Sequence, residues 1–238
     1  FTLLGAVTIA CYFLFAEVEN VRPFLPFVER MQSLADNDAL LAIPLFIMSG
    51  AIMSKGQISV KLITFARSLL GWLPGGLAIA AVFACILFAA ISGSSPATVV
   101  AIGGIMAPAL FQAGYSQNFS HGLVMSAGSL GILIPPSIPM LVYAISNTTS
   151  PIRIEHLFAG GYGPGLIIGG ILMTFSMVRG IRNKVPRHAF IVKEVGRSAA
   201  DGLWALLFPV FIMGGINFGF FDAIQAATFS VVYALVIE

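Results

Sequence analysis

Charge is what this sequence has least of: 9% of its 238 residues are Asp, Glu, Lys or Arg, where soluble domains carry about 25%. The shortage is uneven, because none of the four types occurs anywhere between Arg67 and Arg153. A soluble core has no need of such a run, whereas several bilayer crossings of about 20 residues each fit inside it. Cysteine is scarce too. Cys11 and Cys85 lie singly inside apolar segments, which excludes a disulfide framework or a thiolate metal cluster and leaves both as core residues. The net charge of +2 is small, and the basic residues sit in loops without interleaved aromatics, so nucleic acid is excluded as a partner. There is no initiator Met and no signal-peptide layout. Phe1 lies within one apolar segment and Glu238 directly follows another, so both ends are expected to be cuts in a longer protein.

What is present is hydrophobic: 58% of the residues, with a mean hydropathy of +0.97. The apolar segments fall at 1–16, 39–54, 77–91, 96–111, 119–134, 137–147, 158–178, 202–219 and 222–238. Segment 158–178 is long enough to cross a bilayer. Segments 77–91 and 96–111, at about 15 residues and 1.5 Å each, reach only partway through a core of about 30 Å. Joined by Ser92-Gly93-Ser94-Ser95-Pro96, they predict a re-entrant hairpin over 77–111. In 119–147, Pro135-Pro136 removes two backbone donors and drives the preceding residue out of helical geometry, which predicts one crossing broken in the middle. Irregular backbone at membrane depth survives only where protein or a wet cavity satisfies it, so the two breaks are either one shared site or two unrelated kinks.

The Lys/Arg bias sets the orientation. Loop 179–201 holds Arg179, Arg182, Lys184, Arg187, Lys193 and Arg197, and 55–67 holds Lys55, Lys61 and Arg67 without an acid, so both are expected in the cytoplasm. Region 17–38 carries Glu17, Glu19, Glu29, Asp36 and Asp38 against Arg22 and Arg30 and is expected outside, together with a short amphipathic piece from Phe24 to Leu34. Ile58, Leu62, Phe65, Leu69 and Leu70 recur at helical spacing opposite Lys61, Thr64 and Ser68. That pattern predicts a helix lying in the interface, either an arm between a fixed and a moving part or a plain anchor. Residues 6–17 echo 227–238 at Ala6/Ala227, Tyr12/Tyr233, Leu14/Leu235 and Glu17/Glu238. By the charge rule those two segments run in opposite directions, as in an inverted repeat whose second copy lies beyond this sequence.

Ser92, Ser94, Ser95 and Thr98 cluster at the hairpin tip, and Ser126, Ser129 and Ser137 around the broken crossing. Hydroxyls and freed carbonyls are hard donors suited to a hard cation, although a single serine in a membrane helix more often bonds its own backbone. Block 77–147 contains no carboxylate, and its one histidine, His121, starts a segment at the cytoplasmic face. Sodium therefore suits this block better than proton coupling as the coupling chemistry. The block also lacks Arg and Lys, so an anionic substrate would rest on hydroxyls and helix N-termini. Ile91-Ser92-Gly93 is a poor match to an intramembrane serine protease, because His121 and His156 are placed far from Ser92. An enzyme is therefore not expected, and a channel or passive scaffold subunit is the alternative to a carrier.

Four motifs occur in order: Ile43-Pro44-Leu45-Phe46-Ile47 with Gly50, then Gly71-Trp72-Leu73-Pro74-Gly75-Gly76-Leu77, then Ile91-Ser92-Gly93-Ser94-Ser95-Pro96-Ala97-Thr98, then Ile134-Pro135-Pro136-Ser137-Ile138-Pro139-Met140. In that order they resemble the large M subunit of TRAP transporters, and the resemblance continues through Pro164-Gly165 into 202–238. It implies an all-α polytopic membrane protein, an inverted-repeat elevator transporter with re-entrant hairpin and broken helix. Residues 1–54 would be scaffold, 55–71 an arm, 72–147 the elevator part, 148–201 a crossing helix and cytoplasmic loop, and 202–238 the start of the second-repeat scaffold. It also implies a sodium site between Ser92, Gly93, Ser94, Ser95 and Thr98 at the tip and Gly131, Pro135, Pro136 and Ser137 at the break, with no cofactor beyond the coupling ion. The implied partners are a small four-helix Q membrane subunit, a periplasmic substrate-binding protein and a small organic anion such as a dicarboxylate or sialic acid, in a bacterial inner membrane. Many members carry Gly-Pro where this chain has Gly131-Ile132, so the break here depends more on Pro135-Pro136. The second hairpin and second broken helix are absent from this sequence, so the fragment alone is not expected to transport.

The charge asymmetry makes a direct test of topology. A cysteine placed at 190 should react with an impermeant thiol reagent only from the cytoplasm, and one at 32 only from outside. The reverse labelling would overturn the orientation and, with it, the antiparallel repeat.

Overall fold

A computed structural model describes residues 38–147, 152–183, 185 and 190–238, and no strand occurs among them. Cys11, the piece from Phe24 to Leu34 and the 6–17 half of the internal echo lie outside the described residues. A one-turn 3-10 helix, Asp38–Leu41, leads into α1 (Ala42–Lys55). It is followed by α2 (Ile58–Leu70), α3 (Gly76–Ser92), α4 (Ser95–Gln112), α5 (Gln117–Gly128), α6 (Ile138–Ser146), α7 (Ile154–Arg182), α8 (Val192–Asp201), α9 (Leu203–Asn217) and α10 (Ala223–Ile237).

The core sits around α3. Its sequence, GLAIAAVFACILFAAIS, is apolar on every side, and a helix of that kind must be covered on every side. Ala78, Ala80, Val82, Cys85, Phe88 and Ile91 are all fully buried, and α2, α4, α5, α7 and α1 pack around the helix. Its alanines let neighbours approach closely, while Phe88 and Ile91 fill the space between them. The hairpin elements are longer than the 77–91 and 96–111 read from hydropathy. Pro96 occupies the first turn of α4, where a missing N–H is harmless, so the helix starts at Ser95 and runs 18 residues, about 27 Å. By length and composition α4 and the 29-residue α7 can each cross a membrane.

Two bends separate apolar helices from amphipathic ones. α1 and α2 meet at 67°, and α8 and α9 at 65°. The carboxylate of Glu238, at the end of α10, accepts hydrogen bonds from the N–H groups of Gln57 (2.7 Å) and Ile58 (3.0 Å), so an anion neutralises the free amides where α2 begins. α10 in turn packs along α1, where the Ser49 hydroxyl donates to the Ser230 carbonyl at 3.1 Å. The capping box of Asp222 and Gln225 starts α10.

The buried stripe of α2 is rotated from the expected one. Ile58, Ser59, Leu62, Ile63 and Ala66 are buried, whereas Phe65, Leu69 and Leu70 are half-buried. The reason is a second neighbour, because α8 packs on the side that carries Ser68, where hydropathy alone places water. α8 falls within the stretch read as a cytoplasmic loop. Ile191, just before it, and its Val195 and Ala199 recur at helical spacing, but a run of polar residues masks that weak signal.

α7 meets the rest of the chain through small residues. Phe158, Gly161, Gly165, Gly169, Ser176 and Gly180 are its buried positions, a small-xxx-small stripe that lets backbones touch. At one end a Cβ on Gly161 would lie 2.5 Å from the Leu133 carbonyl oxygen. At the other, a Cβ on Gly180 would collide with the backbone of Gly75, beside the buried Tyr115. Gly180→Val should therefore lower the melting temperature of the detergent-purified full-length protein, at a cost of about 1–3 kcal/mol from overpacking. Gly170→Val, whose Cβ points into open space, should leave it unchanged.

Candidate functional site

The site begins with two chain breaks that face each other. At the first, α3 ends on Gly93 with φ +59°, a left-handed conformation that an L side chain rarely adopts, and α4 restarts after Ser94. At the second, α5 passes into a 3-10 turn, Ser129–Ile132, and the chain then runs irregularly through the buried Ile134, Pro135, Pro136 and Ser137 to α6. Proline removes the amides that would have continued the helix. The breaks are joined directly, because the Ile138 N–H donates to the Gly93 carbonyl at 3.2 Å. A Cβ on Gly93 would collide with the Pro136 carbonyl oxygen, and one on Gly131 would lie 2.8 Å from the Ser94 carbonyl and 2.9 Å from the Ser95 nitrogen. Both approaches need glycine for lack of space.

The polar atoms are buried and neutral. Ser92, Thr98 and Ser137 have no exposed surface. The Thr98 hydroxyl donates to the Ser94 carbonyl at 2.9 Å, and the Ser92 and Thr98 hydroxyl oxygens are 3.2 Å apart. The Ser94 N–H donates to the Ser92 hydroxyl at 3.4 Å, closing a small ring of oxygens at the tip. Across the break the Ser137 hydroxyl donates to the Ile132 carbonyl at 2.7 Å and holds the irregular segment in place. Two helices, α4 and α6, start at this contact, so two positive dipole ends converge where α3 presents its C-terminal carbonyls. Such a junction can hold a small cation on oxygens and an anionic group on helix N-termini.

The structure therefore brings Ser92, Gly93, Ser94, Ser95, Thr98, Gly131, Pro135, Pro136 and Ser137 to one junction. It does not bring Ser126 and Ser129 there. Ser129 spends its hydroxyl on the Ser126 carbonyl at 2.7 Å, and the Ser126 side chain is exposed. Among the described residues Ser92 bonds to Ser94 and Thr98, and neither His121 nor His156, both exposed, is a partner of it. Sequence reasoning missed the wall of the junction. A Cβ on Gly50 of α1 would lie 3.2 Å from Ser92, which places α1 against the hairpin tip. Gly165 and Gly169 of α7 pass in the same way against Ile134 and Ile86. The four-residue spacing of Gly161, Gly165 and Gly169 was the available signal.

The family model of the tripartite ATP-independent periplasmic transporter, DctM component, matches residues 1–238. The chain belongs to that family. Among relatives of this DctM-family chain, the C4-dicarboxylate TRAP transporter large permease protein DctM of Pseudomonas aeruginosa is 47% identical, over 84% of this chain and 46% of the relative. The ectoine/5-hydroxyectoine large permease protein UehC of Ruegeria pomeroyi is 41% identical, over 84% of this chain and 46% of the relative. The 2,3-diketo-L-gulonate large permease protein YiaN of Escherichia coli is 36% identical, over 84% and 47%. This DctM-family chain thus spans just under half the length of those relatives. They are transporter permease proteins and not enzymes.

Because the tip and the break share one hydrogen bond, disturbing the tip should be felt across the junction. In the full-length protein, Gly93→Val should speed amide hydrogen exchange at Ile138 about tenfold, the loss of one buried backbone bond. Gly104→Ala, which meets open space on α4, should not. Unchanged exchange at Ile138 in Gly93→Val would mean the two breaks do not depend on each other.

Proposed function

We propose that this chain is the first-repeat part of the large membrane subunit of a sodium-coupled, binding-protein-dependent secondary transporter that imports a small organic acid. The observation that carries the reading is the junction of Gly93 and Ile138, where buried neutral oxygens and two helix N-termini meet in a chain of the DctM family. The oxygens of Ser92, Ser94, Thr98 and the Gly93 carbonyl suit a hard cation without a carboxylate, and the helix N-termini suit the substrate's carboxylate once that cation is beside it. The relatives' names span a C4-dicarboxylate, ectoine and a diketogulonate. Substrate choice then rests largely outside this junction, on a periplasmic substrate-binding protein that delivers the solute.

In this reading α3 to α6 move as an elevator part, with the α3–α4 hairpin re-entrant. α1 and α10 belong to the scaffold, where a small four-helix Q subunit docks in the inner membrane. α2 is the arm that joins scaffold and elevator. An inverted second repeat, in the half of the relatives' length that this chain does not cover, supplies the rest of the substrate cavity.

Sodium dependence tests it. In the full-length transporter with its partners, Ser92→Ala or Ser94→Ala should raise the sodium concentration for half-maximal uptake severalfold while membrane expression stays near normal. Gly93→Val should do worse. Full uptake with unchanged sodium dependence in all three would reject the site, and steady ion current without a binding protein would reject the carrier.

A further inference from the structure

Where α2 and α8 pack together they leave a cleft of about 600 Å³, lined among others by Arg67 and Ser68 of α2 and Glu194, Arg197, Ser198 and Asp201 of α8. That volume is within the range of small-ligand sites. The cleft is built on a polar tie, since the Ser68 and Ser198 hydroxyl oxygens are 2.6 Å apart, with Ser198 buried. Its charge is mixed, two guanidinium groups and two carboxylates. Among the described residues none of the four is ion-paired, and the ion pair that does occur, Arg153–Glu155, lies elsewhere in the chain. Opposite charges in one cleft that do not satisfy each other are available to a ligand.

The position of the cleft points to what that ligand is. α2 and α8 are the two amphipathic members of the bent pairs, turned 67° and 65° from the apolar helices beside them. Helices so arranged lie along a membrane surface. At the same end Trp72 and Phe190 stack edge to face at 5.8 Å, and both are about half exposed. Exposed aromatics of this kind sit at the level of lipid headgroups. A free anion would be repelled by Glu194 and Asp201, and a free cation by Arg67 and Arg197. A ligand that carries both charges suits all four. Arginine forks onto phosphate, and carboxylates accept hydrogen bonds from a primary ammonium but not from a quaternary one.

We propose that the α2–α8 cleft is a binding site for a zwitterionic phospholipid with a primary ammonium headgroup, phosphate toward Arg67 and Arg197 and ammonium toward one of the two carboxylates, Glu194 or Asp201, that flank Arg197 along α8. Such a lipid bridges the two helices that flank the apolar bundle. The proposal needs only a membrane protein and is independent of the sodium reading.

Native mass spectrometry of the full-length protein, delipidated in detergent, tests it with phosphatidylethanolamine, phosphatidylcholine and phosphatidylglycerol of identical acyl chains. Phosphatidylethanolamine should be retained about tenfold better than either of the others. Arg67→Gln with Arg197→Gln, and separately Glu194→Gln with Asp201→Asn, should abolish that preference, with single Arg67→Gln and Asp201→Asn variants weakening it if a double variant does not fold. Equal retention of the three lipids, a preference untouched by the variants, or displacement by inorganic phosphate as strong as by the lipid would each overturn the proposal. So would loss of the lipid when the small subunit is assembled on the protein, since the cleft would then be a protein contact.

Discussion

A backbone carbonyl or amide that leaves its helix in an apolar environment must find another partner, and in this chain the partners are supplied by a second break. The Gly93 carbonyl, freed at the end of α3, receives the Ile138 N–H at the start of α6. Ser94 and Thr98 satisfy each other on one side, and Ser137 and Ile132 on the other. Neither interruption would survive alone in hydrocarbon, where an unpaired group costs several kcal/mol. The packing of α3, α4, α5 and α6 follows from that mutual need.

Close approach is the second requirement, and glycine meets it. The tip can reach the break only because Gly93 and Gly131 present no side chain to Pro136 and Ser94. α7 can support the irregular segment only because Gly161 and Gly165 let Leu133 and Ile134 lie on its backbone. With lipid as apolar as the helices themselves, burial gives little net attraction between them, and tight contact of small residues replaces it.

The helical content and most of the residues that meet at the junction were legible in the sequence, since long apolar segments, paired prolines and Ser-Gly-Ser tips carry strong local signals. The hairpin segments were read one residue short at each end, as at α4, where Ser95 and not Pro96 opens the helix. The face of α2 was misread for a different reason. Hydropathy distinguishes apolar from polar, but Ser68 faces another helix through a hydroxyl pair, and nothing local in the sequence announces α8 as its neighbour. Ser126 and Ser129 were grouped with the site by proximity along the chain, yet a 3-10 turn directs the Ser129 hydroxyl to its own backbone. The contact of Glu238 with Gln57 and Ile58, far apart in sequence, left no local trace at all.

That last contact gives the bent helix a fixed end. α10 lies along α1, and the Glu238 side-chain carboxylate at its end accepts from the Gln57 and Ile58 amides where α2 begins, so the start of α2 is held by both helices while its far end at Leu70 packs toward α3. A lever of about 20 Å, the length of 13 helical residues, carries its tip about 10 Å when it turns by about 30°. In the proposed elevator reading that pivot stays in place, and any swing of α2 is passed to the helices that carry the two breaks.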